Sequence, residues 1–372
     1  MPEPLQPMRV WTTCGKGRAG QRPASRGLPG EENRLGVHHM QRRHLLGLTA
    51  GAIATPALVR AQGSGIGTWP DRPVRWVVPF PAGGGTDTWA RMIQGPVQEL
   101  LGQPIVIENR AGGGGIVGAQ AALQAPADGY TWFYTIEAFV TVPITQRINP
   151  YDAIRDFAPI GRLGHTSLSF TVGPAVPASV TTFNQYLDWA RRQPSQPIGN
   201  WSAGGSGHAM SVVMERETKL PEVKHVAYRG EAPMMQDNLA GVFHGGFHAM
   251  VVVGETVRAG RLRPLATAGV DRVPSLADRV PTFAELGGYS ERFNFRGFTG
   301  LMGNARIPAP IQERMADIFR RGTQTPEVHA KLRAMDTVPS YEDPPTFAQS
   351  IRRVQLQWAE LTEELDLYQS AG

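Results

Sequence analysis

Val74-Arg75-Trp76-Val77-Val78-Pro79-Phe80-Pro81-Ala82-Gly83-Gly84-Gly85-Thr86-Asp87 is the stretch on which the reading of this chain turns. Val74, Trp76, Val77 and Val78 form an apolar, β-branched run. A helical pattern follows in Trp89, Ala90, Met92, Ile93, Val97, Leu100 and Leu101, so Thr88–Leu101 reads as a helix ended by Gly102. Strand, glycine-rich turn and helix in that order place backbone N–H groups at a positive helix end, where anions bind. Glycine suits the turn because a side chain would block close approach and some turn positions require a positive φ. A ligand-free connection rich in glycine and proline has the same local pattern. The dinucleotide spacing G-x-G-x-x-G is absent from this stretch.

Outward from this stretch, the first 62 of the 372 residues do not read as part of the fold. Residues 1–39 are rich in Gly, Pro and Arg without apolar period, which suggests a disordered extension or a start read too early, with Met40 the true one. Residues 40–62 carry the basic Arg42-Arg43, an apolar run from Leu48 to Val59, and a close at Val59-Arg60-Ala61. That is a signal peptide cleaved near Ala61. The run is shorter than the roughly 20 residues that span a bilayer. Twin arginines suggest the Tat route, and a Sec signal that happens to hold two arginines is the alternative.

The leader also carries the charge. Its nine Lys/Arg and three Glu give +6 against +5 for the whole chain, leaving the remainder near −1. Nucleic-acid binding therefore has no electrostatic support. The one cysteine, Cys14, lies in the leader too, so the remainder needs no disulfide and holds no thiol nucleophile or Cys-ligated metal. About 310 residues remain, enough for two domains.

Strand and helix patterns alternate along them, which predicts an α/β architecture with parallel sheets. Strands are expected at Pro104–Glu108, Tyr130–Thr135, Phe170–Val172, Ile198–Trp201, His225–Ala227, Gly245–Val253 and Arg263–Ala268. Helices are expected through Gly118–Leu123, around Thr182–Arg192, Gly207–Lys219 and Pro233–Ala240, and over Pro308–Gly322 and Pro344–Leu367. Phe347, Ile351, Val354, Trp358 and Leu361 make the apolar stripe of the last helix, so Trp358 reads as core.

A second loop of the same design is Asn200-Trp201-Ser202-Ala203-Gly204-Gly205-Ser206-Gly207-His208. Ser202 and Ser206 add hydroxyl donors to its amides, which suits a carboxylate; Ser206 is also a helix N-cap type. Two such loops could grip one anion from both sides. No H-E-x-x-H, G-x-S-x-G, S-x-x-K or Walker A pattern occurs. Ser202 with His208 lacks an orienting acid. His244 and His248 have metal spacing only on a helix, and their segment reads as a strand, so no metal or other cofactor is expected. Glu215, Glu217, Glu231 and Glu285 read as solvated acids.

From Trp69 to Leu367 the chain resembles the extracytoplasmic solute receptors of the tripartite tricarboxylate transporter family, the Bug proteins. The marks are Trp69-Pro70-Asp71-Arg72-Pro73-Val74-Arg75, Val78–Asp87, Leu101-Gly102-Gln103-Pro104 and Glu108-Asn109-Arg110-Ala111-Gly112. They continue with Ala127-Asp128-Gly129-Tyr130-Thr131, Asp156-Phe157-Ala158-Pro159-Ile160, Tyr228-Arg229-Gly230-Glu231-Ala232-Pro233, Ala259-Gly260-Arg261-Leu262-Arg263 and Val280-Pro281-Thr282.

The resemblance implies a two-lobed, type II (Venus-flytrap) periplasmic binding protein, with two doubly wound lobes at 64–165 plus 290–372 and at 166–289. It implies a non-catalytic, monomeric periplasmic receptor that delivers a small organic carboxylate to membrane subunits. The alternatives are a sensing receptor for a signalling partner or an enzyme on the same fold. Ligand contacts carried over fall on Phe80, Pro81, Ala82, Gly83, Gly84, Thr86 and Asp87 of the first loop and on Ser202, Ala203, Gly204, Ser206 and His208 of the second. Glu137, Phe247 and His248 join these contacts, and the chain departs from the family pattern near them. Phe247-His248 stands where an aspartate usually follows a phenylalanine, His244 replaces another aspartate, Glu137 replaces a small hydroxyl residue, and Ile116 an asparagine. His248 either packs beneath the cleft or accepts a second carboxylate or hydroxyl of the ligand.

Overall fold

A computed structural model describes residues 68–269 and 272–367. The leader, its twin arginines, the cleavage point and Cys14 lie outside the described residues. The first lobe opens with β1 (Val74–Val78), α1 (Gly85–Leu101), β2 (Ile105–Asn109), α2 (Ile116–Gln124), β3 (Thr131–Ile136), α3 (Ala138–Thr145) and β4 (Phe157–Thr166). The chain crosses once into β5 (Leu168–Val172), α4 (Phe183–Ala190), β6 (Gln196–Asn200), α5 (Ser206–Thr218), β7 (Val223–Ala227), α6 (Glu231–Leu239), β8 (Gly245–Ala249), α7 (Met250–Arg258), β9 (Arg263–Ala268) and the short α8 (Phe283–Leu286). It then crosses back into β10 (Gly297–Asn304), α9 (Ala309–Thr323), α10 (Pro326–Ala334), β11 (Val338–Glu342) and α11 (Pro344–Glu364).

The strand orders are β11-β4-β10-β3-β1-β2 in one sheet and β7-β6-β8-β5-β9 in the other. Without the edge strand β11, the two orders are the same. In each, a parallel trio (β2-β1-β3, β7-β6-β8) is followed by the antiparallel strand that enters from the other lobe, β10 or β5. The sheets are therefore mixed, not parallel as the alternation alone predicts. The crossing strands run against the trio because they approach from the far side of the cleft.

Local physics explains the first unit. Every second position of a strand faces the same side, yet Val74, Trp76, Val77 and Val78 are all buried, as in a sheet covered on both faces. The Gln94 and Gln98 side chains of α1 bond the carbonyl and the N–H of Ile105, clasping the helix to β2. Gly102 adopts φ 73° and returns its N–H to Gln98, closing α1 where a Cβ would be strained.

Two differences from the sequence reading concern the second lobe and the C-terminus. The run Gly245–Val253 is not one strand: β8 ends at Ala249, and Met250 begins α7, whose Val253 and Val257 are buried. A continuous apolar run carries no period that separates a buried strand from a buried helix. The last helix, α11, places Phe347 and Ile351 in the core of the first sheet. Its Trp358, with Leu365 and Leu367 beyond it, packs in the core of the second, as does Phe293. Assigning 290–372 wholly to the first lobe does not describe these four residues.

Candidate ligand site between the lobes

The loops at the carboxyl ends of the parallel strands all converge on the cleft, the place where doubly wound sheets bind ligands. The first glycine loop leaves β1. Asp87, just inside α1, turns its carboxylate back into it, accepting from the Gly83 N–H at 2.9 Å, from Arg91 and from Asn109. Burial opposes its ionisation, but these donors hold its carboxyl below the ordinary value. Asp87 shapes the loop. The N–H groups of Gly85, Thr86 and Asp87, the first turn of α1, have no protein acceptor among the described residues. Such orphan donors at a helix start are what an anion satisfies.

Of these residues, Gly85 and Thr86 border a cavity of about 480 Å³. Phe80, Gly84, Gly85, Thr86 and Trp89 come to it from the first loop and α1, and Ile136 and Glu137 from the end of β3. Trp201, Glu231 and Ala249 come from the ends of β6, β7 and β8. Thr166, Leu168, Phe295 and Phe298 close it at the two crossings. No Arg, Lys or His lines it. An anion here would meet backbone dipoles rather than side-chain cations.

The lobes touch at several points. Phe80 meets Trp201 edge-to-face with ring centroids 5.9 Å apart. The Thr145 hydroxyl donates to the Gly204 carbonyl at 3.1 Å, and the Ser206 hydroxyl donates to Glu137 Oε1 at 2.9 Å. Phe80 and Trp201 also border a second cavity of about 710 Å³, lined by Ser202, Ala203, Arg229 and the glycines 112–115. The Ser202 hydroxyl is buried there without a partner among the described residues.

Each expected site residue has a definite place. Phe80, Gly84, Thr86 and Glu137 border the first cavity, and Ser202 and Ala203 the second. Pro81 packs toward Gly230, whose φ of 136° and close approach to the Pro81 ring leave no room for a Cβ. Ala82 and Gly83 are exposed on the loop's outer side. Gly204 is held by Thr145, and Ser206 reaches the cavity only through Glu137. His208 lies behind its loop, where Nδ1 accepts the Gly204 N–H at 3.2 Å and burial pushes the imidazole down to about 4. It makes no contact with Ser202 of the kind a catalytic pair needs.

Three expectations need correction. Phe247 is wholly buried among Phe170, Phe283 and Phe293 in the core of the second lobe, because a strand residue preceding an inward histidine faces the other side of the sheet. His248 also has no exposure. It meets Asn238 at 3.1 Å through Nε2 and lies 3.5 Å from Glu231 through Nδ1, so it supports an acid rather than the cavity itself. Glu231, read as solvated, is the residue that sequence reasoning missed. Its side chain is 9% exposed, and Oε1 accepts the Ala249 N–H at 2.6 Å. Its position at the first turn of α6, after the loop that leaves β7, is the signal that could have found it. His244 pairs with Gln196 and packs on Trp189, away from His248. No group of three or more potential metal ligands exists among the described residues.

Glu137 is the most perturbed acid in the cavity. Burial pushes its carboxyl up to about 7, with nearby Glu231 adding to the rise, while the Ser206 hydroxyl and backbone donors oppose it.

Two lobes of one strand order, exchanged crossing strands and a cavity lined by strand-end loops define a type II periplasmic binding protein. Residues 89–367 match the family model described as the tripartite tricarboxylate transporter family receptor (TctC), and the chain belongs to that family of solute-binding receptors. A UPF0065 protein from the tcbD-tcbE intergenic region of Pseudomonas sp. (strain P51) is 31% identical over 327 residues, covering 88% of this chain and 95% of its own. The solved periplasmic binding protein BugD is 24% identical with a TM-score of 0.75, covering 81% of this chain and 99% of its own. An R. palustris protein solved with adipate is 28% identical with a TM-score of 0.75, over 80% of this chain and 98% of its own.

Proposed function

We propose that this chain is an exported, periplasmic, non-catalytic receptor. It captures a small organic carboxylate between its lobes and hands it to membrane subunits of a tripartite tricarboxylate-type transporter. The observation that carries the reading is the pair of orphan amides at Gly85 and Thr86 on the wall of an interlobe cavity that no side-chain cation enters. A carboxylate supplies the missing acceptors, and a water-poor setting strengthens each bond. The R. palustris relative, solved with adipate, supports the ligand class. Phe80, Gly84 and Thr86 contact the acid, Ser202 and Ala203 extend the site, and Asp87, Gly204 and His208 hold the loops in shape. Only the closed arrangement brings both loops to one ligand, so binding favours closure.

Thermal unfolding of the chain from Gly63 onward, screened against mono-, di- and tricarboxylates and amino acids, tests this. A ligand at 100 times its Kd stabilises by about 2.7 kcal/mol. If no acid moves the melting temperature, the receptor reading fails. Uptake of the acid so identified, compared in cells with and without this receptor, tests delivery to a transporter.

A further inference from the structure

The cavity that takes the carboxylate also holds two glutamates and no basic side chain. Glu137 comes from the end of β3 and Glu231 from the start of α6, on opposite sides of the cleft. Glu137 is 4% exposed. Both carboxyls are already held by donors, Ser206 on Glu137 and the Ala249 N–H on Glu231. On Glu137, burial and the nearby Glu231 disfavour the ionised form, and the Ser206 hydroxyl opposes them. From outside the cavity the buried His248 lies 3.5 Å from Glu231, but no basic side chain of this chain lines the cavity itself, where the two acids face its space. Independently, Phe80, Trp89, Trp201, Phe295 and Phe298 surround the same space with aromatic rings, and ring faces attract cations.

We propose that the ligand is an amino-carboxylate or a betaine, with its carboxylate on the Gly85 and Thr86 amides and its cationic nitrogen between Glu137 and Glu231 within the aromatic walls. This rests on the receptor reading above and narrows it. A dicarboxylate would bring its second charge against two acids. A zwitterion instead matches each end of the cavity with the opposite sign, which is how buried charge gives specificity.

Isothermal titration of the chain with matched probes decides it: 4-aminobutyrate against succinate, alanine against lactate, and glycine betaine against 3,3-dimethylbutyrate. The nitrogen-bearing member of at least one pair binds more tightly by about 10-fold or more. Glu137→Gln and Glu231→Gln reduce that preference while leaving the circular dichroism spectrum unchanged. If the acid lacking nitrogen binds as well or better in every pair that binds, the inference is overturned and the receptor reading survives. An unchanged preference in both glutamine variants also overturns it. If no probe binds and the wider acid screen is also silent, both readings fall. If only the simple amines ethylamine and tetramethylammonium bind, the carboxylate half is overturned.

Discussion

Replacing Gly85 by alanine places a methyl group 3.0 Å from Cγ1 of Val251 and 3.5 Å from Cγ2 of Val252, both on α7 of the opposite lobe. Within its own lobe the nearest atom is a ring carbon of Trp89 at 3.4 Å, an ordinary contact. The substitution therefore acts on closure and spares the fold of either lobe. Its backbone is ordinary helix, where alanine is preferred over glycine by up to about 1 kcal/mol. The clash partner is β-branched and holds one rotamer on a helix, so it yields poorly. Inserting a methyl into a filled contact costs about 1–3 kcal/mol, here only in the closed state. Since 1.4 kcal/mol is a factor of ten, ligand affinity is expected to fall by about 5- to 150-fold. Titration calorimetry with the acid found in the screen gives the affinity, and thermal unfolding of the ligand-free chain gives stability. Unchanged affinity refutes the reasoning. So does a large drop in ligand-free stability, which would place the clash within a folded lobe.

The acids and histidines of the site make further predictions. Burial raises the Glu137 carboxyl from 4.5 to about 7, so the folded state holds its proton longer and stability falls as pH rises from about 4.5 to 7. Burial lowers His208 from 6.5 to about 4, so the unfolded state holds the proton longer and stability rises over about pH 4 to 6.5. Each effect is about 3 kcal/mol and they nearly cancel. Glu137→Gln should expose the climb and His208→Gln the fall in urea unfolding across pH; parallel profiles would contradict both assignments. Asp87→Ala removes the shared acceptor of Gly83, Arg91 and Asn109 and should cost about 1–3 kcal/mol, read as a lower urea midpoint. His248→Asp sets a carboxylate beside Glu231 at a position with no exposure, so it should destabilise by more than about 3 kcal/mol. A folded, equally stable variant with a new acid preference would restore His248 to a direct ligand role. Phe247→Leu should lower stability by about 1–3 kcal/mol and leave the order of acids in the screen unaltered.

What the sequence made legible follows from how local each signal is. The unit β1, glycine loop, α1 is readable because a β-branched run, a punctuating turn and a 3.6-residue stripe adjoin one another. The same holds for β6, the Ser202–Ser206 loop and α5. Strand β10 reads Gly-Phe-Thr-Gly-Leu-Met-Gly-Asn, and its glycines hide it. They are there because Gly300 lies against the Gly161 carbonyl and Gly303 against the Trp132 ring, contacts from distant chain. Strand β4 is interrupted by Pro159, Gly161, Arg162, Gly164 and His165, which hide it in the same way. Glu231 and Glu137 meet in one cavity from elements 94 residues apart (231 minus 137), and no periodicity reports such a meeting. His248 could be singled out by type, but its direction depends on the register of β8 against β5, where it lies opposite Ser169.

The exchanged strands also order events in time. Strand β5 lies between β8 and β9, and all five strands of that sheet fall between residues 168 and 268. Strand β10 lies between β3 and β4, so the other sheet stays in two pieces until Asn304 has been made. Closing that gap joins segments far apart along the chain, which is the slow kind of contact. Pulse-labelled hydrogen exchange should therefore find β6 and β8 protected before β3 and β4. The half that carries the first glycine loop is assembled last, so the ability to bind arises only once β10 has joined β3 to β4.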